Sequence, residues 1–195
     1  MFIPKKILII RRDNIGDLVC TTPAIAVLRR DYPNAEIAAL VNSYNAEVLK
    51  GNPHLDRIFV YQKLKHAGGL ASRFRALTER LKLIVQLRRW KPDVTILAKA
   101  SYDRHGLNFA RQIGGCNVIG YVPNGLSLAK TLPDIRLPTP EFALLHEVEA
   151  VNGLLKPLCI EDALGPLQVF PDVNAVARIR QKLSTASKCI ALHIS

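Results

Sequence analysis

Residues 11–17, Arg11-Arg12-Asp13-Asn14-Ile15-Gly16-Asp17, collect two guanidinium groups, two carboxylates and a glycine in seven positions. An aspartate is ionised at neutral pH. Set where a loop enters a helix, Asp17 can serve as general base for a hydroxyl nucleophile. The same side chain can instead cap free helix N–H groups and complement the helix dipole. Arg11 and Arg12 can clamp an anion or simply end a strand in water. Gly16 lets backbone or ligand approach closely. Thr21 and Thr22, just downstream, can bond a ligand or local backbone. The run contains no G-x-G-x-x-G, so a standard dinucleotide-phosphate loop is absent.

Two other groups carry chemistry. Asp103, Arg104 and His105 can contact phosphate or hydroxyls of a ligand, or form an ordinary polar loop. His146 and Glu149 stand three apart and share a helical face, with Glu147 beside them. They can belong to a site or support packing. His54 follows Pro53 and reads as a turn residue; His193 reads as a core histidine in a strand. The cysteines Cys20, Cys116, Cys159 and Cys189 form no C-x-x-C pair and read as reduced, mostly buried thiols. No His/Cys/Asp cluster has metal-ligand spacing and no nucleophile elbow occurs, so no metal is expected.

The elements that must position these residues alternate. Strands are expected at 6–10, 36–41, 57–61, 93–98, 117–121 and 188–194. Helices are expected at 17–31, 44–50, 70–90, 104–113, 141–156 and 174–186, and a Pro/Gly-rich loop at 122–140. In the 70–90 helix, Leu70, Phe74, Leu77, Leu81 and Val85 are expected to face the core. This alternation predicts an α/β fold, a Rossmann-like doubly wound parallel sheet. Its ligand site lies at the carboxyl ends of the strands, which directs attention to 11–22, 42–45, 61–69, 99–106 and 122–130.

The chain has 195 residues, 49% of them hydrophobic, and a net charge of +11. Such a composition excludes a disordered tail or a disulfide scaffold, and its length can bury a core unaided. Residues 63–91 hold nine basic side chains against one acid, Glu79, so most of the excess is local. A basic amphipathic helix there suits an anionic membrane surface or an acidic acceptor, as well as plain solvent. No nucleic-acid reader motif appears, and no nucleic-acid partner is expected. The apolar run at 7–10 is too short for a signal peptide. A cytoplasmic protein is expected, with any membrane contact peripheral.

The stretch from Ile7 to Ile37, followed by 52–61 (NPHLDRIFVY), resembles the N-terminus of glycosyltransferase family 9. That is the family of the ADP-heptose:lipopolysaccharide heptosyltransferases. The shared features are a strand, a basic residue (Arg11), the pair Gly16-Asp17, and a Thr-Thr-Pro turn at 21–23. The likeness continues through 92–101, 117–121 and 146–155, where the family has a similar His-x-x-Glu. It implies the N-terminal, acceptor-side half of an inverting GT-B enzyme, with 1–187 as that domain. Residues 188–195 would open a nucleotide-sugar domain, with Ser195 the first donor-binding residue. The resemblance implies Asp17 as catalytic base. The motif's Arg11, Gly16, Thr21 and Thr22 are then expected to bind substrate, as are Asp103, Arg104 and His105 from their place at the sheet mouth after the fourth strand. Arg11 replaces a residue that is often Lys, and a planar fork is not equivalent to a point charge. The implied donor is a nucleotide-sugar, ADP-heptose, with no other cofactor. The implied acceptor is an anionic lipopolysaccharide inner-core glycolipid at the inner membrane face. A family member transferring another sugar, or a non-catalytic glycan-binding module, is the alternative.

Overall fold

A computed structural model describes residues 3–62, 70–115, 117–122, 134–138, 145–161 and 165–183. Strands β1 (Lys6–Ile10), β2 (Glu36–Asn42), β3 (Arg57–Tyr61), β4 (Val94–Leu97), β5 (Val118–Val122) and β6 (Asp134–Pro138) form one sheet. Every pairing is parallel, in the order β3-β2-β1-β4-β5-β6. Helices are α1 (Ile15–Val19), α2 (Thr22–Asp31), α3 (Leu70–Trp90), α4 (Arg104–Gln112), α5 (Glu147–Gly153) and α6 (Val173–Leu183). This is the expected Rossmann-like α/β architecture, with the order reversing between β1 and β4.

Burial on both faces explains the unbroken apolar runs of the central strands. On one face Ile7, Ile9, Ile37, Ala39 and Ile96 pack with Ile25 and Leu28 of α2 and Val151 of α5. On the other, Leu8, Ile10, Leu40 and Leu97 pack with Leu83, Leu87 and Trp90 of α3 and Phe109 of α4. Strand periodicity of two sorts each strand between the two layers.

The expected helix at 17–31 is two helices, and the chemistry of Pro23 explains the break. Proline has no N–H to give the carbonyl four residues back. That carbonyl, on Val19, instead accepts from the Thr22 hydroxyl at 2.7 Å. The Thr21 hydroxyl likewise donates to Asp17 O at 2.9 Å. Within the 122–140 segment, read as loop, residues Asp134–Pro138 form β6 at the sheet edge. An edge position tolerates its terminal proline. The expected helix at 141–156 is described as α5 followed by a short 3-10 turn at Lys156–Leu158. The expected strand at 188–194, the boundary at 187/188, and residues His193 and Ser195 lie outside the described residues.

The core face of α3 also differs from expectation. Phe74, Leu77, Leu81 and Val85 are exposed, whereas Leu83, Leu87 and Trp90 are buried. Helix α3 carries two apolar stripes, and periodicity alone does not choose between them. The inward stripe is the one that reaches Phe59 of β3, whose ring stands 5.7 Å from that of Trp90.

A buried hydrogen bond helps to seat helix α5. The Tyr121 hydroxyl donates to Ala150 O at 2.6 Å. A Cβ at Gly153 would stand 2.7 Å from that hydroxyl oxygen. Gly153→Ala gains about 1 kcal/mol of helix propensity but displaces a buried hydrogen bond worth more when broken, about 1–3 kcal/mol. In urea unfolding, Gly153→Ala is expected to lower stability by about 1 kcal/mol. The same substitution in a Tyr121→Phe background is expected to be neutral or stabilising.

Candidate active site

The order reversal puts a crevice between the carboxyl ends of β1 and β4, the usual ligand position in such sheets. Arg11, the first residue after β1, spans it. Its backbone N–H donates to Leu40 O at 3.0 Å, and its guanidinium donates to Ala98 O beyond the end of β4. The side chain is 2% exposed. Three carboxylates meet its Nη2: Glu147 at 2.7 Å, Asp17 at 3.4 Å and Asp13 at 3.5 Å. A buried cation is tolerable only with such partners. Arg11 therefore holds the protein's own carboxylates while lining a small hollow beside them. Arg12 and Lys99 line both this hollow and a larger adjoining one, to which Arg57, Arg80 and Lys82 add further cations.

Each carboxylate reaches Arg11 by a different route. Asp17 lies in the first turn of α1, where its Oδ2 also accepts from Asn14 N at 3.1 Å. It thus caps α1 and faces the crevice at once. Asp13 rides on a loop fixed from beneath by two buried asparagines. Asn42 Nδ2 donates to the carbonyls of Arg12 and Asp13, both at 3.1 Å, and Asn45 Nδ2 donates to Asp13 O at 3.0 Å. Lys99, after β4, stands 3.9 Å from Asp13. Glu147 arrives at the start of α5, placed by the Tyr121 contact.

Two adjoining hollows open here. A small one of about 320 Å³ is lined by Arg11, Asp13, Asp17, Lys99, Ser101 and Glu147 among others. A larger cleft of about 1190 Å³ shares Arg12, Asp13 and Lys99 with it and extends to Tyr61, Arg80, Asp103 and His105. Arg12 stacks over the Tyr61 ring at 4.9 Å and donates to its hydroxyl at 3.0 Å. The cleft is therefore rimmed by cations while its floor is acidic.

The other expected site residues divide. Asp103 caps α4, accepting from Gly106 N at 2.8 Å, and still lines the large cleft with His105. Arg104 is exposed and lines neither hollow. Thr21 and Thr22 are fully buried, and Thr22 also accepts from Gln168 N at 2.9 Å. Their hydroxyls shape the α1–α2 break. A Cβ at Gly16 would meet nothing within 4 Å, so no neighbouring protein group demands glycine there. His146 and Glu149 form the start of α5: His146 Nδ1 accepts from Val148 N at 3.3 Å, and Glu149 accepts from His146 N at 3.0 Å. The functional side chain of that segment is Glu147 between them. Lys99 was not named from the sequence, and Asp13 and Glu147 were named there without a role of their own. The post-strand positions of Asp13 and Lys99 were the available signal.

Cys20 is half-buried beside the crevice and Cys159 is exposed, both as free thiols, while Cys116 and Cys189 lie outside the described residues. Burial, then Glu147 and Asp17, push the Cys20 thiol above its ordinary value, against a smaller opposite pull from Arg11. Among the described residues, no group of His, Cys, Asp and Glu could hold a metal ion. No described helix is long and apolar enough to cross a membrane.

Two predictions follow from the charge arrangement. Arg11→Ala leaves three carboxylates facing one another and is expected to cost about 3 kcal/mol in urea unfolding. That is the low end for breaking a buried pair, because the carboxylates are partly open to solvent. A raised thiol pKa keeps Cys20 protonated, so less thiolate is present near pH 8. Iodoacetamide should therefore label the Cys20 peptide more slowly than a free cysteine there. Peptide mass spectrometry should show the rate still rising with pH above the ordinary thiol value.

No family model matches the chain. A curated Haemophilus influenzae protein, provisionally named as a glycosyltransferase, is 37% identical over 59 residues, covering 30% of this chain and 17% of that protein. A solved structure of a family 9 glycosyltransferase from Veillonella parvula superposes with TM-score 0.74 at 16% identity, over 95% of this chain and 51% of the other. The E. coli heptosyltransferase WaaC, solved with ADP-2-deoxy-2-fluoro heptose, gives TM-score 0.58 at 16% identity, over 84% of this chain and 51% of that one. WaaC solved with ADP gives 0.56 at 17% identity, over 91% and 53%. The chain spans about half the length of these solved neighbours. It has the Rossmann-like fold found in glycosyltransferases of family 9, over about half of their extent.

Proposed function

We propose that this chain is the acceptor-side half of an inverting GT-B glycosyltransferase, with Asp17 as its general base. The observation that carries the reading is the placement of Asp17. Its carboxylate stands at the mouth of the sheet, 3.4 Å from a buried guanidinium and open to a cleft rimmed by Arg12 and Lys99. An oriented carboxylate there can take the proton of an acceptor hydroxyl as its oxygen attacks the anomeric carbon. The bond from that carbon to the donor diphosphate breaks, and the nucleoside diphosphate leaves with the electron pair. Arg11 and Asn14 hold the carboxylate in place, and Glu147 completes the charge balance of Arg11.

The donor in this reading is ADP-heptose, in keeping with the ligands of the WaaC structures. The acceptor is an anionic, lipid-borne inner-core sugar whose phosphates or carboxylates meet Arg12 and Lys99. The donor diphosphate would be held by the other half of such an enzyme, where preorganised donors stabilise its developing charge.

The test uses the full-length protein as its gene encodes it. Release of ADP from ADP-heptose is followed with an inner-core acceptor, and products are identified by mass spectrometry. Asp17→Asn is expected to lower kcat by about 100-fold or more, the scale of general-base contributions, while thermal unfolding stays close to wild type. Turnover of the variant near wild type would remove Asp17 from the base role. Glycan affinity without turnover of any nucleotide-sugar would make the protein a binding module.

A further inference from the structure

We infer that the outward face of α3 is a docking surface for an anionic lipid bilayer. Phe74 is 70% exposed, Leu81 54%, Leu77 50% and Val85 45%. At 100° per residue these four fall within one quadrant of the helix, diametrically opposite Leu83, Leu87 and Trp90, which seat α3 on the sheet. Large apolar side chains in a continuous row on the outside of a folded domain mark a contact surface. The row runs for about 17 Å along the helix.

The charges beside the row decide what it contacts. The same helical wheel puts Lys82 and Arg89 along one border, Arg80 beyond the other, and Arg88 within the row between Leu77 and Leu81. Arg80 and Arg88 donate to Gln112 of α4, at 3.0 and 2.7 Å. An apolar ridge with cations beside and within it matches a bilayer with anionic headgroups: apolar side chains enter the acyl boundary while cations meet phosphates. A second copy of this chain would bring like charge to like, since each carries +11. This inference deepens the reading of a lipid-borne acceptor, because docking would bring the cleft side of α3 to the acceptor's own surface. Vesicles that contain no sugar acceptor test it separately from the transfer reaction.

The experiment is co-sedimentation of the full-length protein with vesicles of phosphatidylethanolamine and phosphatidylglycerol, against pure phosphatidylcholine. Binding to the anionic vesicles is expected to be at least tenfold tighter and to weaken with salt. The double variant Leu77→Glu/Leu81→Glu is expected to lose at least tenfold in binding while its unfolding temperature is unchanged, since both side chains are exposed. Lys82→Glu/Arg89→Glu should weaken anionic binding and leave residual binding to neutral vesicles unaltered. The inference is overturned if wild type ignores anionic vesicles or if the leucine variant binds as well as wild type. It is equally overturned if the stripe proves to be covered by another copy, seen as a dimer in light scattering that the leucine variant disperses.

Discussion

A guanidinium buried at the switch point of the sheet governs how this crevice is built. Burying a cation costs far more than any one surface ion pair returns, so Arg11 must be surrounded by compensating charge. The protein meets that demand with three carboxylates drawn from three places: the loop after β1, the first turn of α1, and the start of α5. One of the three is thereby presented to the cleft in a defined orientation. Arg11 is the internal counter-charge of an acidic floor. The cleft's own cations, Arg12 and Lys99, stand further out.

The layered sheet was legible because parallel strands buried on both faces must be short and continuously apolar, as at 6–10 and 36–41. The remaining departures share one cause: each depends on which of two available partners a group finds. The Val19 carbonyl takes a threonine hydroxyl instead of an amide, and a helix splits. Two apolar rows compete for the inside of α3, and proximity to Phe59 and Lys6 selects the one ending at Trp90. Strand β6 pairs at the edge despite flanking prolines because an edge strand needs only one ladder.

The site was legible in its centre and not in its support. Asp17 and Arg11 stand in the local pattern of one loop, and the β-sheet rule points to that loop. Glu147 could not be located from spacing, because its role arises from packing α5 onto Tyr121 and α2. The neighbours that drew attention, His146 and Glu149, satisfy each other at the helix start. Loop residues 12–13 owe their shape to Asn42 and Asn45, whose side-chain amides replace absent backbone partners.

The seat of α5 bears on the order in which the chain acquires its structure. Beta strands 1 to 4 and their helices precede α5 in synthesis, so they can collapse while Arg11 still lacks its shortest ionic contact. The carboxyl-terminal segment then closes over them, tying Tyr32 to Leu158 across 126 residues as well as Glu147 to Arg11. Non-local closures of this kind come late, because their loop entropy is spent before any contact rewards it. Until α5 is placed, Asp13 and Asp17 alone face Arg11, and the crevice lacks the wall that Glu147 supplies.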